Sequence, residues 1–225
     1  WRFLGGFLAV SFLLLPMTIG IIDYGMGNLR SVQKALEKVG GDAAILRNYD
    51  EIDPVDKLIL PGVGSFADAM DNLRAGGWVE DIRRFARSGR PTLGICLGMQ
   101  LFFEASEEEA PPGELVEGLG LFEGVVRRLT VDREPHRLKV PHMGWNQLEW
   151  ERDDPLLAGI EPGDAVYFVH GYAVPAGVPA ESATCLYGER LCATAWKDNV
   201  WATQFHPEKS QRVGLRMLRN FVGIA

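Results

Sequence analysis

The sequence predicts an α/β protein: an open, mostly parallel sheet flanked by helices, with antiparallel strands added in the second half. Three observations predict it. Short apolar runs alternate with segments of helical periodicity up to about residue 106. Glycines close the predicted helices. Beyond an acidic stretch, closely spaced strand-like segments take over. The 225 residues are 47% hydrophobic and 24% charged, enough for one sizeable core, so residues 17–225 are assigned to a single domain.

Residues 1–16, "WRFLGGFLAVSFLLLP", hold one charge and an apolar run short for a membrane span. They read as upstream sequence outside the fold, with a targeting segment as the alternative. Thr18–Asp23 is a first apolar strand that breaks at "DYGMGN" (23–28), where two glycines mark a turn. Asn28 is placed as the N-cap of a helix in which Leu29, Val32, Leu36 and Val39 share a face, and Gly40-Gly41 ends it. "DAAIL" (42–46) and "KLIL" (57–60) are short buried strands. "SFADAMDNLRAGG" and "WVEDIRRFARSG" are helices, "PTLGIC" (91–96) a further buried strand, and "GMQLFFEAS" the helix after it.

Residues 107–117, acidic and Pro-rich, read as a solvated loop. "GVVRRL", "QLEW", "AVYFVH", "ATCLYG", "LCATAWK" and "VWATQFH" then read as antiparallel additions to the sheet. "SQRVGLRMLRNFVG" (210–223) is a closing helix with Val213, Met217 and Phe221 on one face.

The net charge is -7, with no basic block, so nucleic acid is not an expected partner. Three cysteines, Cys96, Cys185 and Cys192, make an odd number with no CxxC pair. That suits a reducing compartment and a cytoplasmic location, with Cys185 and Cys192 as small buried hydrophobes. No cluster has metal-ligand spacing, and neither metal nor cofactor is expected.

Cys96 differs from the other two. It sits between Gly94 and Gly98 where a strand turns into a helix, the arrangement of a nucleophile elbow. Such a turn lifts the side chain to the carboxyl edge of the sheet and places it at a helix N-terminus, which favours a thiolate. A catalytic thiol needs a base. Of four histidines, His206 stands out: an apolar strand runs into it, Pro207 stops that strand, and Glu208 follows two residues on, projecting to the same side in an extended chain. His136 and His142 read as satisfied residues. "LILPGVGSF" (58–66) ends a buried strand in a glycine-rich loop whose amides can approach a ligand. The glycines also fit a plain turn; a phosphate cradle is weak, because the Lys-Ser/Thr ending of a P-loop is missing.

"PGVGSF", "GICLGMQ" and "HPE", in this order, resemble the class I, triad-type glutamine amidotransferases. "IIDYGMGNLRSV", "KVPHMGWNQL", "YFVHGY" and "ATQFHPEKS" resemble the branch that serves as glutaminase subunits of imidazole glycerol phosphate synthase, over nearly all of residues 17–225. The resemblance implies a flavodoxin-like fold and a Cys96–His206–Glu208 triad. Cys96 would attack the glutamine side-chain amide. His206 would protonate the ammonia and later activate water, and Glu208 would orient His206. Amides of Leu97 and of the Gly62-Val63-Gly64 loop would hold the oxyanion, and Gly62 and Gln100 would help bind glutamine.

It also implies a partner, a separate (β/α)8 cyclase subunit that receives the ammonia and forms imidazole glycerol phosphate and an aminoimidazole carboxamide ribotide. Asn28, Trp145 and Lys209 match positions facing that partner. The glycine loop would hold an amide away from the site until the partner's ligand binds. One departure is Gly171, where many relatives have Ser or Thr; a hydroxyl contact to substrate is lost there. Rival readings are a glutaminase feeding an anthranilate or pyridoxal phosphate synthase, a cysteine peptidase on a similar elbow, and an inactive interaction subunit.

Overall fold

The computed structural model describes residues 18–224, so the predicted extension over 1–16 lies outside the described residues. β1 (Thr18–Ile22), α1 (Leu29–Lys38), β2 (Asp42–Leu46) and β3 (Lys57–Gly62) come first. α2 (Phe66–Ala75), α3 (Trp78–Arg87), β4 (Thr92–Cys96) and α4 (Leu97–Phe102) follow. The inner strands β1, β3 and β4 are buried along almost their whole length because helices cover both faces, whereas the edge strand β2 starts with exposed Asp42. α1 turns Val32, Ala35 and Leu36 inward. Asn28 occupies its N-cap position, but its side chain makes no capping bond; Ser65 does cap α2, accepting from the Asp68 N–H.

The second half supplies β5 (Phe103–Ser106), β6 (Val116–Glu117), β7 (Phe122–Arg128), β8 (His142–Gln147), β9 (Ala165–His170), β10 (Tyr172–Ala173), β11 (Glu181–Tyr187), β12 (Glu189–Lys197), β13 (Val200–Thr203) and α5 (Gln211–Gly223). The main sheet has the order β11-β12-β13-β4-β3-β1-β2. β2, β1, β3, β4 and β13 run parallel, and β12 and β11 are added antiparallel. β10-β7-β5-β6 form a smaller sheet and β8-β9 a two-stranded ribbon.

Three expectations change. "VWATQFH" is not an antiparallel addition: the hairpin from β12 turns β13 into the direction of β4, and the two pair parallel, while "GVVRRL" and "AVYFVH" join the smaller sheet and the ribbon instead of the main sheet. "GMQLFFEAS" is not one helix: α4 stops at Phe102, and Phe103 turns extended (ψ 171°) so that β5 pairs with β6 and β7. An apolar run this short carries either period, and pairing partners decided it. The strand expected at "QLEW" lies earlier, over His142–Gln147, because its ladder partner β9 is in register with those residues.

The core has two layers. On one face Ile19, Ile21 and Leu36 pack with Met217 and Phe221 of α5. On the other, Leu58 and Leu60 pack with Phe66, Phe85 and Phe102. Lys57 is fully buried, and its ammonium donates to the carbonyls of Phe221 (3.0 Å), Val222 (2.7 Å) and Ile224, capping the C-terminus of α5. Lys57→Met leaves those carbonyls without a donor and is expected to lower stability by about 2 kcal/mol. An unchanged denaturant midpoint would contradict that role.

The register sets the site. Gly62 pairs with Cys96, and Thr203 pairs with Ile95. The ends of β3, β4 and β13 therefore lie side by side at one carboxyl edge, where open α/β sheets place their ligands.

Candidate active site

Cys96 closes β4 with φ 56° and ψ -109°, and α4 starts at the next residue. This backbone needs room on both sides. A Cβ on Gly94 would stand 2.7 Å from the Gly98 carbonyl oxygen, and one on Gly98 would stand 1.8 Å from the Leu60 carbonyl oxygen. The two glycines let the strand, the helix and β3 meet at the elbow. The first N–H groups of α4, Leu97 among them, have no intrahelical acceptor.

His206 lies three residues beyond β13, and its N–H donates to the Tyr167 carbonyl of β9 (3.0 Å). Residues Pro207–Lys209 form a single 3-10 turn rather than the extended chain expected, and that turn carries Glu208 back to the ring. His206 Nδ1 is 2.8 Å from Glu208 Oε1, with both side chains buried. Nε2 is buried and has no hydrogen-bond partner among the described residues. It is the ring atom left for chemistry.

Cys96 and His206 line the same cavity, of about 270 Å³. Burial works against charge on His206, yet Cys96 and Glu208 outweigh it and raise its pKa to about 9. No hydrogen bond of normal geometry joins the sulfur to Nε2; the two groups meet as walls of one cavity.

Val63, Gly64 and Leu97 also line the cavity, together with His206 and Lys209. Gly64 has φ 105°, a conformation suited to glycine, and neither its amide nor that of Val63 donates to a protein acceptor among the described residues. Gly62 is not among the lining residues. It sits behind, where a Cβ would meet the Tyr24 hydroxyl at 2.5 Å, and it borders a small crevice with Asn28, His206 and Glu208.

Gln100 is buried, and its Nε2 donates to the Tyr172 carbonyl (2.9 Å) and to Gln204 Oε1 (3.0 Å). Both amide protons are used, which leaves its oxygen as the free end. Of the residues expected at a partner face, Lys209 lines the cavity, Asn28 borders the crevice behind it, and Trp145 lies half-exposed on the β8-β9 ribbon.

Glu108, His170 and Tyr172 line the cavity without having been singled out. Glu108 corrects the reading of 107–117 as a wholly solvated loop. It accepts the Phe66 N–H at the start of α2 (2.9 Å), and burial pushes its carboxyl up, partly offset by that bond. A carboxylate in this wall suits an ammonium group. Nothing in an acidic run marks which member turns into the cavity wall. His170 did carry a signal: β9 alternates, with Val166, Phe168 and His170 facing inward.

Burial holds His142 near 4 and His170 near 3, both below the usual 6.5. Because these folded-state values are depressed, the unfolded chain takes up protons first, and stability falls as pH drops from 6.5 towards 4. His206 has the opposite sign: its contribution is complete below 6.5 and is lost as pH rises through about 9. The melting temperature is therefore expected to peak near neutrality. One that climbs steadily into acid would contradict the two neutral histidines.

Among the described residues, no group of His, Cys, Asp or Glu is arranged to hold a metal, and no helix is long and apolar enough to cross a membrane. The family Glutamine amidotransferase class-I matches residues 20–224. The chain is 54% identical over 206 residues to "Imidazole glycerol phosphate synthase subunit HisH" of Syntrophotalea carbinolica, covering 90% of this chain and 98% of that protein. It is 52% identical to the subunit of the same name from Geobacillus thermodenitrificans, covering 92% and 95%. Among solved structures it resembles PurLQS from Thermotoga maritima, with a TM-score of 0.71 at 18% identity, over 93% of this chain and 99% of that one. That likeness concerns the fold.

Proposed function

From the premise that the chain belongs to the class I glutamine amidotransferase family, we propose how its residues divide the work. Its activity is that of the glutaminase subunit of imidazole glycerol phosphate synthase, in histidine biosynthesis. The single observation that carries the residue assignment is the shared cavity. A cysteine on a strained elbow and a buried imidazole with one nitrogen free both open into it.

The Cys96 thiol gives its proton to His206 Nε2, and the thiolate attacks the side-chain amide carbon of glutamine. Charge gathers on the carbonyl oxygen, where the amides of Leu97 and of the Val63-Gly64 loop receive it. Glu208, bonded to Nδ1, keeps the proton of the charged ring at Nε2, facing the reacting atoms. Nε2–H passes that proton to the departing nitrogen, and ammonia leaves as the tetrahedral adduct collapses to a γ-glutamyl thioester. The neutral ring then takes a proton from water, which attacks the thioester. Glutamate leaves, and the thiolate is restored. The Gln100 oxygen and the Glu108 carboxylate bind the amino-acid end of the substrate.

The chain works as one subunit of a synthase. We place a (β/α)8 cyclase against the edge bearing Asn28, Trp145 and Lys209, where it takes the ammonia. Three free cysteines fit a cytoplasmic setting. The test is a coupled assay with that cyclase, following glutamine-dependent product. No product from a folded pair, or product only with a different synthase, would overturn the assignment. In the same assay Glu208→Gln is expected to lower glutamine-dependent turnover about 100-fold, because the charge that fixes the proton at Nε2 is gone. Turnover close to wild type would remove Glu208 from the triad.

A further inference from the structure

We propose that His142 and His170 form a relay that positions the glutamine pocket, locking the Gly171 turn and Gln100 to the β8-β9 ribbon. What the pocket holds rests on the glutaminase reading; the relay itself rests on hydrogen-bond geometry.

The two ends of the relay are fixed independently. Asn146 Oδ1 accepts the Gln147 N–H (2.8 Å), and Asn146 Nδ2 donates to the Leu186 carbonyl (2.9 Å). The amide orientation is therefore unambiguous. Nδ2 lies 3.3 Å from His142 Nε2 and can only donate, so that ring nitrogen carries no proton. At the other end, His170 Nδ1 lies 2.9 Å from the Tyr172 carbonyl, which can only accept, so this nitrogen carries one. Between them, His142 Nδ1 and His170 Nε2 are 3.0 Å apart and share a single proton, on His142.

Both ends dictate the same arrangement: two neutral rings, each protonated at Nδ1, donating in one direction. A second proton on either ring would set two donors face to face. Packing holds the geometry. The His142 ring stacks between Phe168 (4.7 Å) and Tyr187 (4.0 Å).

The relay ends on an atom that matters to the pocket. The Tyr172 carbonyl accepts from His170 and also from Gln100 Nε2, on the helix that Cys96 begins. His170, Gly171 and Tyr172 form cavity wall, whereas His142 does not reach it. His142 therefore acts through His170 and is a positioning residue. Without its donor, His170 Nε2 is buried and unpaired, the ring is free to change tautomer, and the Tyr172 carbonyl loses its fixed place.

Two measurements test this. In the full chain with 15N-labelled histidine, long-range proton–nitrogen correlations at neutral pH are expected to show His142 and His170 as neutral Nδ1–H tautomers. An Nε2–H tautomer or a charged ring at either position would overturn the relay. This readout needs no glutamine, so it stands or falls apart from the functional reading. In the reconstituted synthase, His142→Phe keeps the stacked ring and removes both hydrogen bonds. It is expected to raise KM for glutamine about tenfold, with kcat within about twofold and ammonia-driven synthesis unchanged. His142→Asn places an amide donor near the lost Nδ1–H and is expected to recover most of KM. An unchanged KM in His142→Phe, no recovery in His142→Asn, or loss of ammonia-driven synthesis would each overturn it. If His142→Phe does not fold, the tautomers and the His142→Asn KM still decide.

Discussion

Cys96→Ala abolishes glutamine-dependent synthesis by the complex, by about 10⁴-fold or more, and leaves ammonia-driven synthesis intact. The size follows from the mechanism. Without the sulfur there is no thioester, and water must attack an amide held for a different nucleophile. The selectivity follows from the structure. Cys96 is buried at the end of β4, and the alanine Cβ retains the elbow's packing while the Gly94 and Gly98 contacts stay as they are. The fold, and whatever surface the partner uses, should survive. The check is paired: initial rates with glutamine and with ammonium, on one preparation of the complex. Loss of both rates would make the thiol's role structural.

The second large effect is on folding. Gly98→Ala drives a methyl group to 1.8 Å from the Leu60 carbonyl oxygen, in the middle of a parallel pair of strands. That oxygen belongs to backbone and cannot swing aside, so α4 must lift from β3. We expect a loss of about 3 kcal/mol or more, roughly 10 °C in melting temperature, together with loss of glutaminase activity as the Leu97 amide moves. Gly223→Ala is the control, because nothing among the described residues lies within 4 Å of that Cβ and the substitution should be near neutral. A Gly98→Ala protein as stable and active as wild type would show that the elbow tolerates a side chain.

The parallel half of the fold was legible because strands covered on both faces are apolar throughout, as in Ile19–Ile22 and Leu58–Leu60. The elbow was legible because only glycine fits at 94 and 98, so spacing and sterics carry one message. His206 and Glu208 were legible as a pair, but for a reason that needed correction: a 3-10 turn, not an extended chain, brings them together. The second half was less legible. β5 is too short to show a period, and its strand character comes from partners in β6 and β7. Glu108 was hidden because its half-buried place depends on α2, a distant segment whose Phe66 N–H it accepts. The His142–His170 relay was hidden for the same reason. Its proton order is set by Asn146 and the Tyr172 carbonyl, and no single residue announces it.

All of the chemistry depends on the Cys96 sulfur being the atom that takes the glutamyl group, with His206 beside it. The most direct measurement is peptide mass mapping after the complex has been exposed to an electrophilic glutamine analogue, with and without excess glutamine. One adduct is expected, on Cys96, suppressed by glutamine and slowed strongly by His206→Ala, with Cys185 and Cys192 untouched. Labelling of Cys185 or Cys192 in its place, or an unlabelled Cys96 in a complex that still consumes glutamine, would contradict it.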